Sequence, residues 1–468
     1  MKKFIDSLQP RLSDLFLLTG TIGFVIFIAF GQDFMANPNI ADAMCPLWAL
    51  IVASVVMIAS YSVYFYLEIV KNQTKINKYV AFAFIGIVLL NIVAILVQPA
   101  SFNEDVIIRM NENAALVGTT QTVNLTITAT HKFAFISEYL GLGAFLFICF
   151  FMLPKRIGSV KFIEFLGYGF ILFTFVLVVY SYITEFDKYI GWFKYVLGID
   201  RSKDLSNDLS VQSFMGHKNP FGMVCMLGIL FALINQNIKQ RWFYYPIVAY
   251  FFISMVFSLC KTGILLTAII ILVYFVYRLV VTYREHKLRN RIAFLVLVGL
   301  LFFGFIFVGL PYLIKGKIFG KIYELISSFT SGGYTLMTRG CIWDNTYQLL
   351  QNGWWLLGRG FGSINTFVSP MNEFSHYEIK VVSLHSSFLT VLSSGGILTF
   401  LAFILLLAYF VYVTVKSYKK APELTVATSL AALTFFLYSF VETNHYLIYL
   451  FMFLIFIVYF KDEQEKTI

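Results

Sequence analysis

Four short segments gather the residue types that hold anions or move protons. The first is Gly216-His217-Lys218-Asn219-Pro220-Phe221-Gly222. It sets a histidine and a cation where an apolar run begins. Proline is tolerated in a first helical turn, and a helix N-terminus favours negative charge. The second is Ser258-Leu259-Cys260-Lys261-Thr262-Gly263. The apolar runs on either side leave almost no room for a loop, so Lys261 must lie at a membrane surface or among helices, where an ionisable group is costly and usually functional. The third is Thr338-Arg339-Gly340-Cys341-Ile342-Trp343, followed by the turn Gly358-Arg359-Gly360-Phe361-Gly362. Leu336, Trp343, Tyr347 and Leu350 fall at helical spacing, which puts Arg339 and Trp343 on one face. A guanidinium fork matches phosphate oxygens, and an indole beside it stacks on a sugar ring. The fourth is His385-Ser386-Ser387-Phe388-Leu389. Neutral imidazole is the usual general base near neutral pH. His385, Phe388, Leu389 and Leu392 share a helical face, and Ser393, Ser394, Gly395 and Gly396 follow one to two turns on. Such small residues let membrane helices approach closely.

Each segment also has a plainer reading. The first is then a polar entry loop capped by Asn219, and Lys261 a lysine snorkelling from a helix end. The glycine-rich stretch is then a simple turn, because Ser363 stands where a dinucleotide fingerprint needs its third glycine. A turn of this kind also presents backbone N–H groups to an anion. A lone interfacial histidine is often structural. The five cysteines, Cys45, Cys149, Cys225, Cys260 and Cys341, are scattered without paired spacing. They give no support to a disulfide framework, a zinc site or an iron–sulfur site. No H-E-x-x-H, P-loop or G-x-S-x-G occurs, so zinc chemistry and nucleotide hydrolysis also lack support.

The elements that position these segments follow from composition. Of 468 residues, 59% are hydrophobic and 13% charged, against about 25% charged in soluble domains. The deficit runs along the whole chain. Apolar runs long enough to cross a bilayer fall near 15–30, 47–68, 79–97, 133–152, 162–183, 220–235, 242–257, 262–281, 292–313, 388–413, 424–440 and 444–460. The expectation is an all-α polytopic protein of about twelve spans, with eleven or thirteen also open. It forms a single membrane domain over 1–468, with a large outer loop at 314–384 between spans nine and ten. No small-residue cleavage site follows the first run, which reads as a retained helix.

Positive charge on short loops sets orientation. With the N-terminus cytoplasmic, the cytoplasmic segments hold 21 of the 35 basic residues and 9 of the 25 acids. The outer side keeps the other 14 and 16. Both termini are thus expected in the cytoplasm, and the pI of 9.1 is an orientation signal rather than a mark of nucleic-acid binding. The long segments 98–132, 184–215 and 314–384 all face outward. So do His131, His217, His376, His385 and His445, five of the six histidines.

In order and spacing these segments resemble the O-antigen ligase and polysaccharide polymerase family of bacterial envelopes. The resemblance covers roughly residues 210–445. It rests on Gly216–Gly222, Ser258–Gly263, Arg339 with Trp343, the Gly358–Gly362 turn, His385-Ser-Ser-Phe-Leu before a Gly-Gly pair, and Glu442 near the last outer turn. The chain departs from the family where Lys218 replaces an arginine upstream of Asn-Pro and where Cys260-Lys261 replaces Ser-Arg. Both changes keep the charge and lose the bidentate fork.

The resemblance implies glycosyl transfer on the outer face of the bacterial plasma membrane, without metal or other cofactor. The donor would be a glycan on undecaprenyl pyrophosphate, and the acceptor a glycan or a lipid such as lipid A core. A flippase and a chain-length regulator would be partners. His385 would act as base, and Arg339, Arg359, Lys218 and Lys261 would neutralise the departing pyrophosphate. His217, Asn219, Trp343 and Glu442 would position substrate. Asp344 and Glu442 keep a carboxylate base open. The family includes polymerases and ligases, and the long outer loop leans toward a polymerase. A lipid-linked oligosaccharide flippase is the main rival, but the spans hold few charges and no internal repeat is visible. A membrane-bound acyltransferase and a structural scaffold are further alternatives.

Overall fold

The computed structural model describes residues 12–27, 47–71, 78–97, 129–197, 199–200, 209–215, 218–239, 241–285, 343, 347, 350, 355–358, 360, 386–440, 450 and 454. Among the described residues every element is helical and none is a strand. The order is α1 (Leu12–Phe27), α2 (Leu47–Phe65, running on as a π-helical turn Tyr66–Lys71), α3 (Lys78–Leu96) and α4 (Ala129–Phe147). After a π-helical stretch, Ile148–Met152, come α5 (Leu153–Ile157), α6 (Ser159–Thr184) and α7 (Phe186–Val196). Then follow α8 (Lys218–Lys239), α9 (Tyr244–Ser258), α10 (Lys261–Glu285), α11 (Ser387–Tyr418) and α12 (Pro422–Tyr438).

Five stretches are long and apolar enough to cross a membrane: Trp48–Lys71, Ser159–Thr184, Lys218–Lys239, Thr262–Val281 and Ser387–Tyr418. Shorter apolar helices occupy Leu12–Phe27, Ile85–Leu96, Tyr244–Ser258 and Pro422–Tyr438. Ten of the twelve apolar runs thus coincide with described helices. The run 292–313 lies outside the described residues, and of 444–460 only Leu450 and Leu454 are described, both helical. Most of the expected outer loop 314–384 also lies outside them.

The chain divides into two compact units. One comprises Met1–Ile163, Cys341–Lys420 and Ser439–Ile468; the other comprises Glu164–Gly340 and Ala421–Tyr438. In the first unit, α1, α2 and α4 meet where glycines remove side-chain bulk. A Cβ on Gly23 would lie 3.2 Å from the Met57 backbone nitrogen, and one on Gly141 would collide with the Met57 sulfur and the Phe24 ring. Close approach over small residues replaces the hydrophobic drive that lipid cannot supply. Phe24, Met57, Tyr61, Tyr64 and Phe147 fill the space between these helices.

The second unit is built around α8. Sixteen of its residues are buried, from Phe221 to Asn237. A helix apolar all round belongs in a core, and α6, α9, α10 and α12 surround this one. Gly228 admits Thr174 of α6, whose Oγ1 donates to the Phe170 and Val224 carbonyls at 2.8 and 3.2 Å. At the Lys239 end, charges pair between helices: Lys239 with Glu164 at 2.9 Å, and Arg278 with Glu423 at 2.6 Å. Tyr274 donates to Gln236 there, at 2.5 Å.

Candidate functional site

The second unit brings two of the four segments together. A Cβ on Gly222 would lie 2.5 Å from the Cys260 Cβ and 3.0 Å from the Ser258 Oγ. The first turn of α8 therefore lies directly against the turn that opens α10. Helix α8 starts at Lys218 and α10 at Lys261. Two helix N-termini, each beginning on a lysine, are thus side by side, with the positive ends of both helix dipoles at one end of the unit. Asn219 and Pro220 lie inside the first turn of α8, so Asn219 is not its cap.

The turn between α9 and α10 is as short as the sequence requires. Only Leu259 and Cys260 separate the two helices. Leu259 adopts the left-handed conformation, φ 56° and ψ 26°, and the Cys260 N–H donates to the Ser258 Oγ at 3.2 Å. The Cys260 thiol is buried and lies 3.5 Å from the Tyr438 hydroxyl at the end of α12. Left-handed φ on a branched residue such as leucine is rare and strained. Among the described residues the other non-glycine at positive φ is Ser213, at 54°. It stands five positions before Lys218, so both strained residues fall in the short segments that deliver the two lysine-led helices.

A charged clamp holds Ser213. Glu185 Oε2 accepts from the Gln212 and Ser213 N–H groups at 3.0 and 2.6 Å. Its other oxygen takes the Lys188 ammonium at 2.6 Å, and Lys188 also donates to the Ser210 carbonyl at 3.1 Å. The Ser213 hydroxyl donates to the Leu177 carbonyl at 3.0 Å, and the Val211 N–H to the Phe257 carbonyl at 3.0 Å. A carboxylate accepting two backbone N–H groups while paired with a lysine fixes a backbone that would otherwise relax. Tyr189, beside this clamp, is buried, and its hydroxyl lies 2.7 Å from Ser181 Oγ. Burial pushes the Tyr189 phenol well above its ordinary value, so it serves as a neutral hydrogen-bonding group.

The first unit holds a different device. Helix α11 is broken at Gly396, where φ is 65° and ψ −170°. The turn carrying Gly358 and Gly360 fits into the break. The Ile397 N–H donates to the Trp355 carbonyl at 2.7 Å, and the Gly360 N–H donates to the Ser394 carbonyl at 2.7 Å. These bonds occupy backbone groups that the interrupted helix leaves free. Irregular backbone at membrane depth needs such partners. Gly358 and Gly360 have φ 70° and 86°; a Cβ on Gly358 would strike the Gly395–Gly396 backbone, and one on Gly360 the Ile95 side chain at 2.4 Å. The buried start of α11 is capped by Ser386, whose Oγ accepts from the Leu389 N–H at 3.5 Å, and the Ser387 N–H donates to the Ser439 carbonyl at 2.9 Å.

Of the expected site residues, Lys218 and Asn219 are partly buried at the start of α8, and Lys261 opens α10. Trp343 is helical and exposed, as is Tyr347, whereas Leu350 is buried. His217, Arg339, Arg359, His385 and Glu442 lie outside the described residues. No group of three metal-ligating side chains occurs among the described residues. Sequence reading missed Glu185, Lys188 and Tyr189 because 184–215 reads as a long loop. The recurrence of Phe186, Ile190, Phe193 and Leu197 at helical spacing was the available signal.

No known protein family, curated protein or solved structure matches this chain.

Proposed function

We propose that this protein is a membrane glycosyltransferase of the O-antigen ligase and polymerase type. It would join repeat units carried on undecaprenyl pyrophosphate at the outer face of the plasma membrane. The observation that supports this most is the Lys218–Lys261 end of the second unit, where two lysine-led helix starts are packed together behind two strained, clamped turns. Paired N-termini with cations suit a pyrophosphate.

In this reading an acceptor hydroxyl attacks the anomeric carbon of the donor sugar. The new glycosidic C–O bond forms as the bond to the pyrophosphate oxygen breaks. His385 takes the hydroxyl proton, and the electron pair leaves on the polyprenyl pyrophosphate. Arg339 and Arg359, with Lys218 or Lys261, offset the charge that develops on the leaving group. His217, Asn219, Trp343 and Glu442 hold the sugars. Apolar helices of spanning length give the polyprenyl tail a lateral path from the bilayer.

The test is His385→Ala, with Arg339→Ala beside it, in the native host, after both variants are shown to reach the membrane. Surface glycan is resolved on a gel. Collapse of the ladder to single lipid-linked repeats supports a polymerase. Long chains that persist on undecaprenyl pyrophosphate identify a ligase instead. Unchanged surface glycan from well-expressed variants overturns the role of His385 and shifts weight to a carboxylate base or a transporter.

A further inference from the structure

Helix α7 carries two faces that want different surroundings. Tyr189 and Trp192 pack on Phe257 at ring distances of 4.8 and 4.9 Å, and Tyr182 stacks on Tyr189 at 4.4 Å. Leu209 packs against Gly191, where a Cβ would lie 2.6 Å from the leucine methyl. This face is anchored to the second unit. The other face is the stripe Phe186, Ile190, Phe193 and Leu197, at intervals of four, three and four residues, with Phe193 at its edge also meeting the Phe257 ring at 5.7 Å. These side chains are 58%, 37%, 53% and 71% exposed. On an ideal helix they fall within one narrow sector. Asp187 and Lys194 are exposed and seven residues apart, so they border the stripe along one edge.

What covers this stripe follows from where the helix hangs. Only Glu185 separates α7 from α6, a 26-residue helix of spanning length and composition. Helix α7 therefore starts at the plane where α6 leaves the bilayer. The exposed side of α6, with Leu172, Val176, Tyr180 and Ile183, runs to that junction and ends three residues before the exposed Phe186. An eleven-residue helix is too short to span. With an apolar face and charges at its border, it suits the boundary between headgroups and acyl chains, where such helices sink by about 5–10 Å.

We propose that α7 is an interfacial helix, docked by its Phe186–Ile190–Phe193–Leu197 stripe on the lipid surface beside α6. The occupant is the bilayer itself, not a second protein. Glu185 and Lys188 join this helix to residues 210–213, so its depth sets the height at which the segment entering α8 meets the headgroups. The docking stands without the glycosyltransferase reading.

Full-length protein in nanodiscs of phosphatidylethanolamine and phosphatidylglycerol tests it. Single substitutions Phe186→Cys, Ile190→Cys, Phe193→Cys, Leu197→Cys, Asp187→Cys and Lys194→Cys are spin-labelled, with the parent protein as background. Collision with oxygen, which concentrates in lipid, is compared with collision with a water-soluble nickel chelate. The expected oxygen-to-nickel ratio is severalfold higher at the four stripe positions than at 187 and 194. Nickel contact at all six positions, as for a helix in water, would overturn the proposal. So would labels on the stripe that reach neither reagent, as under a second protein surface. Phe193→Trp, which keeps an aromatic ring, gives an independent reading through quenching by brominated acyl chains. A tryptophan that brominated lipid does not quench also overturns it.

Discussion

Replacing Gly396 with alanine should be among the most damaging one-carbon changes in the first unit. The residue has φ 65° and ψ −170° in the middle of α11, a region open essentially to glycine alone and costing other residues about 1–3 kcal/mol. The added Cβ would lie 2.2 Å from the Leu356 carbonyl oxygen, 2.4 Å from its carbon and 2.6 Å from the Gly358 nitrogen. These are backbone atoms, so no rotamer change relieves the contact. The turn at 355–360 must withdraw, and the Gly360–Ser394 and Ile397–Trp355 hydrogen bonds go with it. Each is worth about 0.5–1.5 kcal/mol, and more where water cannot replace the partner. Strain and lost bonds together come to about 2–6 kcal/mol. That is a large part of a net stability of about 5–15 kcal/mol. Gly169→Ala is the control, because nothing lies within 4 Å of its Cβ; helix propensity there favours alanine by up to about 1 kcal/mol. Gly395→Ala should also destabilise, since its Cβ would lie 2.4 Å from the Thr399 Cβ and Oγ1, but it carries no positive-φ strain and should cost less than Gly396→Ala. Unfolding free energy measured by steric trapping in bicelles decides the matter. Gly396→Ala within 1 kcal/mol of the control would refute a glycine-dependent break with the turn seated in it.

Three further changes test the second unit. Glu185→Gln removes the charge that grips Lys188 and the Gln212 and Ser213 N–H groups; it should cost about 1.5–3 kcal/mol and raise amide hydrogen exchange over residues 209–215. Gly222→Val drives a branched side chain into Cys260; overpacking of this kind costs about 1–3 kcal/mol, and a thiol probe should reach the now buried Cys260 faster. Arg278→Met strands Glu423, whose side chain is 25% exposed. The loss, read by the same steric-trapping assay, should stay below the roughly 3–5 kcal/mol of a fully buried pair. Adding Glu423→Leu should recover most of it.

What was legible in the sequence is what a bilayer enforces residue by residue. A span needs about twenty apolar positions, and the runs at 162–183, 220–235, 262–281 and 388–413 became helices because nothing else satisfies their backbone in lipid. Pro220 and the crowding around Cys260 likewise marked helix starts at Lys218 and Lys261. The pairing of those starts was not legible. It depends on Gly222 facing Cys260, and a missing Cβ has no signature that tells close packing from any other use of glycine. Gly395-Gly396 shows the same ambiguity from the other side. The pair reads as small residues for helix packing, yet Gly396 breaks the helix, and only the turn at 355–360, drawn from a distant stretch of chain, makes that break affordable. Helix α7 escaped for a third reason. Eleven residues with one apolar stripe are too short for a span and too polar for a core, so they read as loop until the surfaces on both sides are known. The charged residues of the candidate site were therefore visible as chemistry, while the glycines, the strained turns and the Glu185 clamp that would position them exist only as contacts.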